Sequence, residues 1–266
     1  MIRDITLGQY YPGNSPIHKL DPRVKIMATL LYIVALFVIK DFSGFIAAFV
    51  MLEAVIIISK VPRRFIWRGL KPVLIIIAFT LAVNLFMVKG EVLWQFGFLH
   101  ITREGLRTAG FMGIRLVLLI IGSSMLTLTT RPIGLTDGIE ALLSPFKKIG
   151  LPAHELAMMM TIALRFIPTL LDETDKIMKA QQARGADFES GNIFRRAKAL
   201  IPILVPLFIS AFRIAQDLAM AMEARCYGGD VKRTRMNAMK FAKRDVFASI
   251  IFCIFLAVVV LQRVLL

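Results

Sequence analysis

Residues that build disulfide frameworks, metal centres and catalytic sites are scarce in this sequence. Its two cysteines, Cys226 and Cys253, are too few for a disulfide framework, and we expect both to be reduced. The three histidines, His18, His100 and His154, are too scattered for metal-ligand spacing. The phosphate-binding pattern G-x-x-x-x-G-K-[ST] does not occur, and no Ser/His/Asp or Cys/His set has a convincing local context. These absences predict a protein that is not an enzyme and that needs neither a metal nor an organic cofactor.

Charged residues are also few, and acidic ones are the fewest. Charged residues make up 19% of the 266 positions and apolar residues 57%, with a mean hydropathy of +0.71. Average domains have about 25% charged residues and 45–50% apolar ones, so this composition excludes a disordered chain and argues against a soluble enzyme. The 33 basic residues outnumber the 18 acidic ones, which gives a net charge of +15. In so apolar a chain, this excess is typical of a membrane protein with basic cytoplasmic loops, and we predict no nucleic-acid partner.

Five stretches approach the length of about 20 mostly apolar residues that a membrane-spanning helix needs. They are Val24–Ile39, Phe42–Ile58, Pro72–Val88, Gly110–Leu128 and Val246–Leu261. The leader before the first stretch is rich in proline and glycine and lacks the features of a cleaved signal peptide, so we expect no cleaved targeting segment.

Two further apolar stretches make the number of spans ambiguous. Leu156–Leu171 contains Arg165, and Leu200–Ile209 runs on into Arg213 and Asp217. A charge at the centre of a bilayer costs about 2.5–3.5 kcal/mol on insertion scales, which disfavours a span through Arg213 and Asp217 unless they are buried in protein. The sequence therefore favours five spans and permits seven.

Basic residues orient the predicted helices in the membrane. From the leader to the tail, the segments between spans contain 4, 1, 5, 3, 18 and 1 lysines and arginines. Because basic loops remain in the cytoplasm, this alternation predicts a cytoplasmic N-terminus and an external C-terminus. The chain then has three parts: residues 1–130 with the leader and four spans, a cytoplasmic helical domain over 131–245, and the last span over 246–266.

Two amphipathic helices are predicted in the cytoplasmic domain. Each begins near an apolar-proline step, Ile167-Pro168 or Val205-Pro206. The second carries a stripe of apolar residues at the 3–4 spacing of a helix face, and the first has a narrower stripe. The stripe residues are Leu207, Ala211, Ile214, Leu218 and Met222 on the second helix, with Ile177 and Met178 on the first. The helices end in similar triplets, Ala183-Arg184-Gly185 and Ala224-Arg225-Cys226.

Two interpretations of Arg184 and Arg225 remain open at this point. An arginine at a helix C-terminus complements the helix dipole, with Gly185 as the residue that ends the helix. Alternatively, each arginine protrudes from a helix end and inserts into an acidic groove on a soluble partner, because its planar fork binds carboxylate bidentately. Two such arginines would suit a partner that has two similar subunits.

One acidic residue lies inside a predicted span. Glu53 is about five residues from the cytoplasmic end of the second span. It is closer in depth to Lys25, at the inner end of the first span, than to Arg115 in the fourth, so we expect a structural ion pair with Lys25 in preference to a transport role.

The residues described so far resemble the transmembrane T component of energy-coupling factor transporters. The run from Ile17 to Lys25, Ile-His-Lys-Leu-Asp-Pro-Arg-Val-Lys, is similar to the leader of that family. The five-span layout with a basic insert before the last span is similar too. The two Ala-Arg-X triplets match the coupling motifs of the family, so the resemblance covers essentially the whole chain.

This resemblance implies a fold, a role and partners. The fold is all-α, a polytopic membrane protein with about five transmembrane helices and a cytoplasmic coupling domain built on two long amphipathic coupling helices. The role is that of a non-catalytic scaffold in a vitamin or metal importer of a prokaryotic cell membrane. The triplets at 183–185 and 224–226 would contact two related ATPase subunits. A small membrane S component would capture substrate and dock on the apolar stripes.

Two other classes of membrane protein are alternatives to a transporter T component. A self-sufficient secondary transporter or channel would have internal repeats of spans and polar residues at mid-membrane, and neither is clear here. A membrane-bound enzyme would have clustered His, Asp or Glu at the membrane face, and the sequence has too few. The substrate itself is not predicted by the sequence.

Overall fold

The computed structural model describes residues 10–96, 99–150, 152–186, 188, 193–228 and 239–265. The helices are α1 Pro22–Val38, α2 Phe42–Ser59, α3 Arg63–Leu70, α4 Leu74–Met87, α5 Arg103–Thr129, α6 Pro132–Leu143, α7 Ala153–Ala183, α8 Ile193–Ala224 and α9 Lys243–Leu265. A 3₁₀ turn at Lys71–Val73 joins α3 to α4. The predicted helical membrane fold is confirmed.

A short β-hairpin, which the sequence analysis did not predict, connects α4 to α5. Strand β1 covers Val92–Phe96 and pairs antiparallel with β2, which covers Leu99–Thr102. The first strand is rich in the β-branched and aromatic residues that favour extended structure. At four or five residues per strand, the pattern is too short to stand out against the long apolar helices on either side.

Six helical stretches in the described residues are long and apolar enough to cross a membrane, as expected of a multi-pass membrane protein. They are Phe42–Ser59, Arg63–Met87, Arg103–Thr129, Ala153–Ala183, Lys198–Ala224 and Lys243–Val264. Helix α1 is shorter, with 17 residues, which is the lower end of the length that spans a bilayer.

The chain divides into two compact units. The larger unit includes the described residues of 10–142 and 239–265, and the smaller one includes those of 143–228. The larger unit includes α6, which packs on the start of α1. A methyl group added at Gly138 would lie 2.9 Å from Ile26 Cδ1 and 3.0 Å from Pro22 Cβ.

The core of the larger unit forms where α1, α2, α5 and α9 meet. Leu36, Leu128 and Val259 are almost completely buried there. Gly122 permits close approach of α5 to α1, since an added Cβ would lie 2.5 Å from the Tyr32 ring. The opposite faces of the same helices expose large apolar side chains, which is what a lipid-facing surface requires. These exposed residues include Phe37, Ile46, Phe49, Val50, Ile57, Phe247 and Ile254.

A polar junction joins the starts of α1 and α9 to the end of α5. We define it as His18, Asp21, Lys25, Thr129 and Asp245. The Asp21 carboxylate accepts a hydrogen bond from the backbone of Arg23 and caps α1. The Asp21 N–H in turn donates to Asp245 Oδ1 at 2.8 Å, and Asp245 Oδ2 accepts from the backbone of Ala242 at 2.8 Å. Asp245 therefore caps its own helix and holds the first turn of α1 against it.

Lys25 provides the second half of the junction. Its side chain is buried, and its Nζ donates to the carbonyl of Thr129 at 3.0 Å and to that of His18 at 3.1 Å. Thr129 is the last residue of α5, where carbonyl groups lack helical partners and favour a cation. The buried ammonium thus compensates a helix terminus and ties the leader to it.

The expected ion pair between Glu53 and Lys25 is wrong. Lys25 is engaged with backbone carbonyls, while Glu53 Oε2 lies 3.4 Å from Arg63 Nη2. The pair with Arg63 forms because α2 ends at Ser59 and the next residue, Lys60, adopts a left-handed conformation with φ 56° that turns the chain back toward Glu53.

We expect Asp245→Ala to destabilise the protein strongly. Asp245 is 1% exposed and accepts from two backbone N–H groups, which the substitution would leave without their acceptor. The free energy of unfolding should decrease by about 2–4 kcal/mol, measured as a lower melting temperature in detergent. Asp245→Asn should have an intermediate effect. Asp41→Ala is the matched control, since among the described residues the Asp41 side chain has only a 3.7 Å pair with Arg107, and its loss should stay below about 0.5 kcal/mol. Equal shifts for the two alanine variants would contradict this role.

The leader histidine should make stability depend on pH. His18 Nε2–H donates to the Tyr11 carbonyl at 3.0 Å, and Nδ1 accepts from the Ser15 hydroxyl at 2.7 Å. Burial lowers the pKa of His18 below its ordinary 6.5, and the charge of Lys25 lowers it further, against the opposing effect of the Tyr11 carbonyl.

A lowered pKa means that the unfolded chain binds the proton more readily than the folded one. The contribution of His18 to the free energy of unfolding is therefore complete above pH 6.5, the ordinary pKa, and is lost as the pH falls below that value. Thermal unfolding at pH 7.5 and pH 5.5 should show a larger decrease in melting temperature for the wild type than for His18→Gln. Parallel pH profiles for the two proteins would disprove the assignment.

Candidate coupling surface

Helices α7 and α8 form an antiparallel pair in the smaller unit. Three side-chain contacts along their length run in opposite order on the two helices. Gln181 Nε2 donates to the carbonyl of Pro202 at 3.3 Å, and Ser210 Oγ donates to Glu173 Oε1 at 3.3 Å. The third contact, from the Tyr227 hydroxyl to Met158 Sδ at 2.7 Å, ties the end of α8 to the first turns of α7.

Both helices begin earlier than the sequence analysis placed them. Helix α7 starts at Ala153 and continues through Pro168, and α8 starts at Ile193 and continues through Pro202 and Pro206. A proline inside a helix removes one backbone hydrogen bond and bends the helix, but it does not have to end it. The apolar-proline steps therefore lie within long helices of 31 and 32 residues.

The seven predicted docking residues all lie on half-buried positions. They are Leu207, Ala211, Ile214, Leu218 and Met222 on α8, with Ile177 and Met178 on α7. On α8 this stripe lies on the same side as Ser210, which contacts α7. The stripe therefore lies along the side of α8 that faces α7.

A second stripe on α8 is much more exposed. Ile201, Val205, Phe208 and Phe212 follow the i, i+4, i+7, i+11 spacing of one helix face, and their exposed fractions are 53%, 55%, 61% and 68%. Sequence reasoning missed it, because α8 is apolar over most of its surface. Two stripes fit the same spacing, and only the position of α7 distinguishes them. We call the stripe that faces α7 the inner stripe, and the exposed stripe from Ile201 to Phe212 the outer stripe.

The end of α7 is closed by a Schellman motif. Gly185 has φ 88°, its N–H donates to the carbonyl of Gln182 at 2.9 Å, and the N–H of Ala186 donates to that of Gln181 at 3.0 Å. Arg184 is the cap residue. The carbonyls of Gln181 and Gln182 are thus satisfied by backbone N–H groups, with no need for the arginine side chain.

The end of α8 has the same geometry without a glycine. Cys226 adopts φ 55°, its N–H donates to the carbonyl of Glu223 at 2.8 Å, and the N–H of Tyr227 donates to that of Met222 at 2.9 Å. Arg225 therefore occupies the position that corresponds to Arg184. Two triplets with different last residues adopt one backbone conformation.

All six triplet residues are exposed at these helix ends. They are Ala183, Arg184, Gly185, Ala224, Arg225 and Cys226. Within the described residues, no carboxylate lies within 4 Å of either guanidinium. Because the helices are antiparallel and Tyr227, two residues after Arg225, contacts Met158 near the start of α7, the two arginines lie about 40 Å apart along the pair.

The left-handed conformation of Cys226 gives a stability prediction. Such a φ costs an L-residue about 1 kcal/mol relative to glycine, so Cys226→Gly should stabilise the α8 end by that amount and Cys226→Val should destabilise it. Cys226→Ala is the control for the sulfur, because it keeps the Cβ atom and should not stabilise the protein. The measurement is the melting temperature in detergent, and stabilisation by alanine equal to that by glycine would refute the backbone explanation.

Comparison with known proteins agrees with this architecture. Residues 13–236 match the CbiQ family, which is described as cobalt transport protein. The energy-coupling factor transporter transmembrane protein EcfT of Thermosediminibacter oceani is 60% identical over 249 residues, covering 94% of each chain. That of Clostridium kluyveri is 59% identical over 266 residues, covering 99% of this chain and 98% of the relative.

A more distant relative matches over the same length. The energy-coupling factor transporter transmembrane protein EcfT of Listeria innocua is 46% identical over 266 residues, covering 100% of this chain and 98% of the relative. These matches identify a membrane component of a transporter complex and not a catalytic enzyme. The chain belongs to the CbiQ family and is similar throughout to energy-coupling factor transporter transmembrane proteins.

Proposed function

We propose that this chain is the non-catalytic coupling subunit of an energy-coupling factor importer for a vitamin or a metal. It transmits the ATP-driven motion of two ATPase subunits to a substrate-binding S component in a prokaryotic cell membrane. The observation that carries the proposal is the repeated arginine-bearing Schellman motif at the two far ends of one helix pair.

The positions of Arg184 and Arg225 suit two separate partners. Two sites about 40 Å apart are too distant for a single small ligand, and their equal backbone geometry suits two related protein subunits. Each guanidinium is exposed and can insert into an acidic groove, where bidentate binding to carboxylate is available. The two ATPase-binding tips are therefore residues 183–185 and 224–226.

The charges exposed on α7 and α8 support five spans and a cytoplasmic helix pair. Arg165 and Asp172 on α7, and Arg213 and Asp217 on α8, are all exposed. In a spanning helix these side chains would meet lipid, at about 2.5–3.5 kcal/mol each on insertion scales. We infer that residues 131–245 form the cytoplasmic domain, with the N-terminus on the same side and the C-terminus external.

The S component docks on the apolar surface of this helix pair. The inner stripe, which includes Leu207, Ile214 and Ile177, lies between the helices and keeps them together. The outer stripe of α8, from Ile201 to Phe212, offers four exposed apolar side chains to a membrane partner. A shift of the pair then reaches both partners, provided that each binds its alternative positions with different affinity.

A self-sufficient secondary transporter is the second candidate, and an apolar groove in the larger unit argues against it. This groove of about 220 Å³ is almost entirely apolar. The polar groups that line it are already satisfied within the chain: Lys25 by two carbonyls, Thr29 by the carbonyl of Lys25, Tyr32 by that of Ala48 and Thr129 by that of Met125. A hydrophilic solute would therefore find no converging polar partners there.

The test is charge reversal at both tips. We expect Arg184→Glu with Arg225→Glu to abolish co-purification of the ATPase subunits and substrate uptake, because two attractive contacts become repulsive. Each single variant should weaken ATPase retention about tenfold or more. The S component should remain bound, since its proposed contacts lie on the outer stripe.

Arg165→Glu with Arg213→Glu is the matched control. These arginines are exposed on the same two helices but do not occupy cap positions. This variant should retain the ATPase subunits and uptake. Full retention of the ATPases by the tip variant, or equal loss in both variants, would refute the proposed tips.

A further inference from the structure

A dense group of basic residues surrounds α3, at the point where the chain passes from α2 to α4. We define the basic collar as Lys60, Arg63, Arg64, Arg68 and Lys71, all of which are exposed. These five residues lie within twelve positions of sequence. The proposed coupling function makes no use of them.

The aromatic residues of α3 lie among these charges. Trp67 is 63% exposed and Phe65 is 37% exposed, whereas Ile66 and Leu70 are buried in the transmembrane unit. The guanidinium of Arg68 lies 5.9 Å from the centre of the Phe65 ring. Helix α3 therefore packs one face on the protein and presents a mixed surface of cations and an indole on the other.

Little within the described residues neutralises the collar. Arg63 lies 3.4 Å from Glu53, and no carboxylate in the described part of the chain lies within 4 Å of the other four. The helix dipole also disfavours Arg63 and Arg64, because they occupy the first turn, which contains no acidic residue. The stability of α3 thus gives no reason for this concentration of positive charge.

The neighbouring span shows where the collar lies. Helix α4 follows α3 through the 3₁₀ turn and exposes Ile75, Ile76 and Phe79, by 78%, 61% and 69%. Such a surface faces the acyl chains of lipid. The collar and Trp67 immediately precede it and so fall at the depth of the lipid headgroups, where Trp and basic residues are enriched.

We propose that the collar and Trp67 form a binding site for the headgroups of anionic phospholipids. Arg64, Arg68 and Lys71 bind the lipid phosphates through charge-assisted hydrogen bonds, and Trp67 inserts beside the glycerol region. An anionic headgroup explains the unneutralised charge, and the lipid chains explain the adjoining apolar surface. An acidic protein surface would explain only the charge. The site does not depend on the coupling tips, so either proposal can fail alone.

The experiment uses Trp67 as the reporter. The chain has two tryptophans, so Trp94→Phe leaves Trp67 as the single one. The full-length protein is reconstituted in phosphatidylcholine nanodiscs that contain the same fraction of either brominated phosphatidylglycerol or brominated phosphatidylcholine. Brominated phosphatidylglycerol should quench Trp67 at least about twice as strongly, because each nearby cation concentrates anionic lipid.

Removal of the collar charges and addition of salt then test whether these charges cause the preference for the anionic lipid. Arg64→Gln with Arg68→Gln and Lys71→Gln should abolish the difference between the two lipids. Lys40→Gln with Lys89→Gln and Arg103→Gln, which removes three exposed cations elsewhere, should preserve it. In the protein with an intact collar, 1 M salt should reduce the preference, since the screening length falls from about 10 Å at 0.1 M to about 3 Å.

Equal quenching of Trp67 by both lipids in the protein with an intact collar would overturn the proposal. It would favour an acidic protein partner as the reason for the positive charge. A preference that survives both loss of the collar cations and high salt would overturn it as well. The salt series needs no collar variant, so the proposal remains testable if the triple variant does not fold.

Discussion

The membrane unit depends on a few buried polar contacts between helix ends. Lys25 and Asp245 satisfy backbone groups that a helix cannot satisfy by itself, at the end of α5 and at the starts of α1 and α9. In an apolar environment an unpaired N–H or C=O group is costly, so these contacts fix which helix ends lie together. The apolar core then packs helices whose ends are already positioned.

This junction also explains the leader sequence at 17–25 in physical terms. Asp21 caps α1, Pro22 suits its first turn, His18 and Lys25 connect the leader to neighbouring backbone, and each role depends on a particular side chain. The segment at 17–25, whose sequence resembles the family leader, thus has a structural role in joining helix ends. It lies in the larger unit, whereas the proposed coupling tips lie in the smaller one.

The sequence predicted the long apolar helices well, because a span needs only length and composition. It also located both Ala-Arg-X triplets at helix ends, since the periodic patterns stop there. It could not predict that α7 and α8 pass through Pro168 and Pro206, because a proline alone does not say whether a neighbour supports the bent helix. It paired Glu53 with the wrong cation, since the left-handed turn at Lys60 that brings Arg63 close leaves no clear sequence signal. Nor could it separate the outer stripe of α8 from the inner one, which depends on tertiary contact.

The bond between Asp21 and Asp245 joins residues 224 positions apart, which sets an order for biosynthesis. At about 5–20 residues per second, a ribosome needs roughly 10–45 s between making one partner and the other. The contact of Lys25 with Thr129 spans only 104 positions and becomes possible much earlier. Helix α1 can therefore contact α5 before the smaller unit is translated, whereas the Asp21 N–H can reach its acceptor only after α9 has been synthesised.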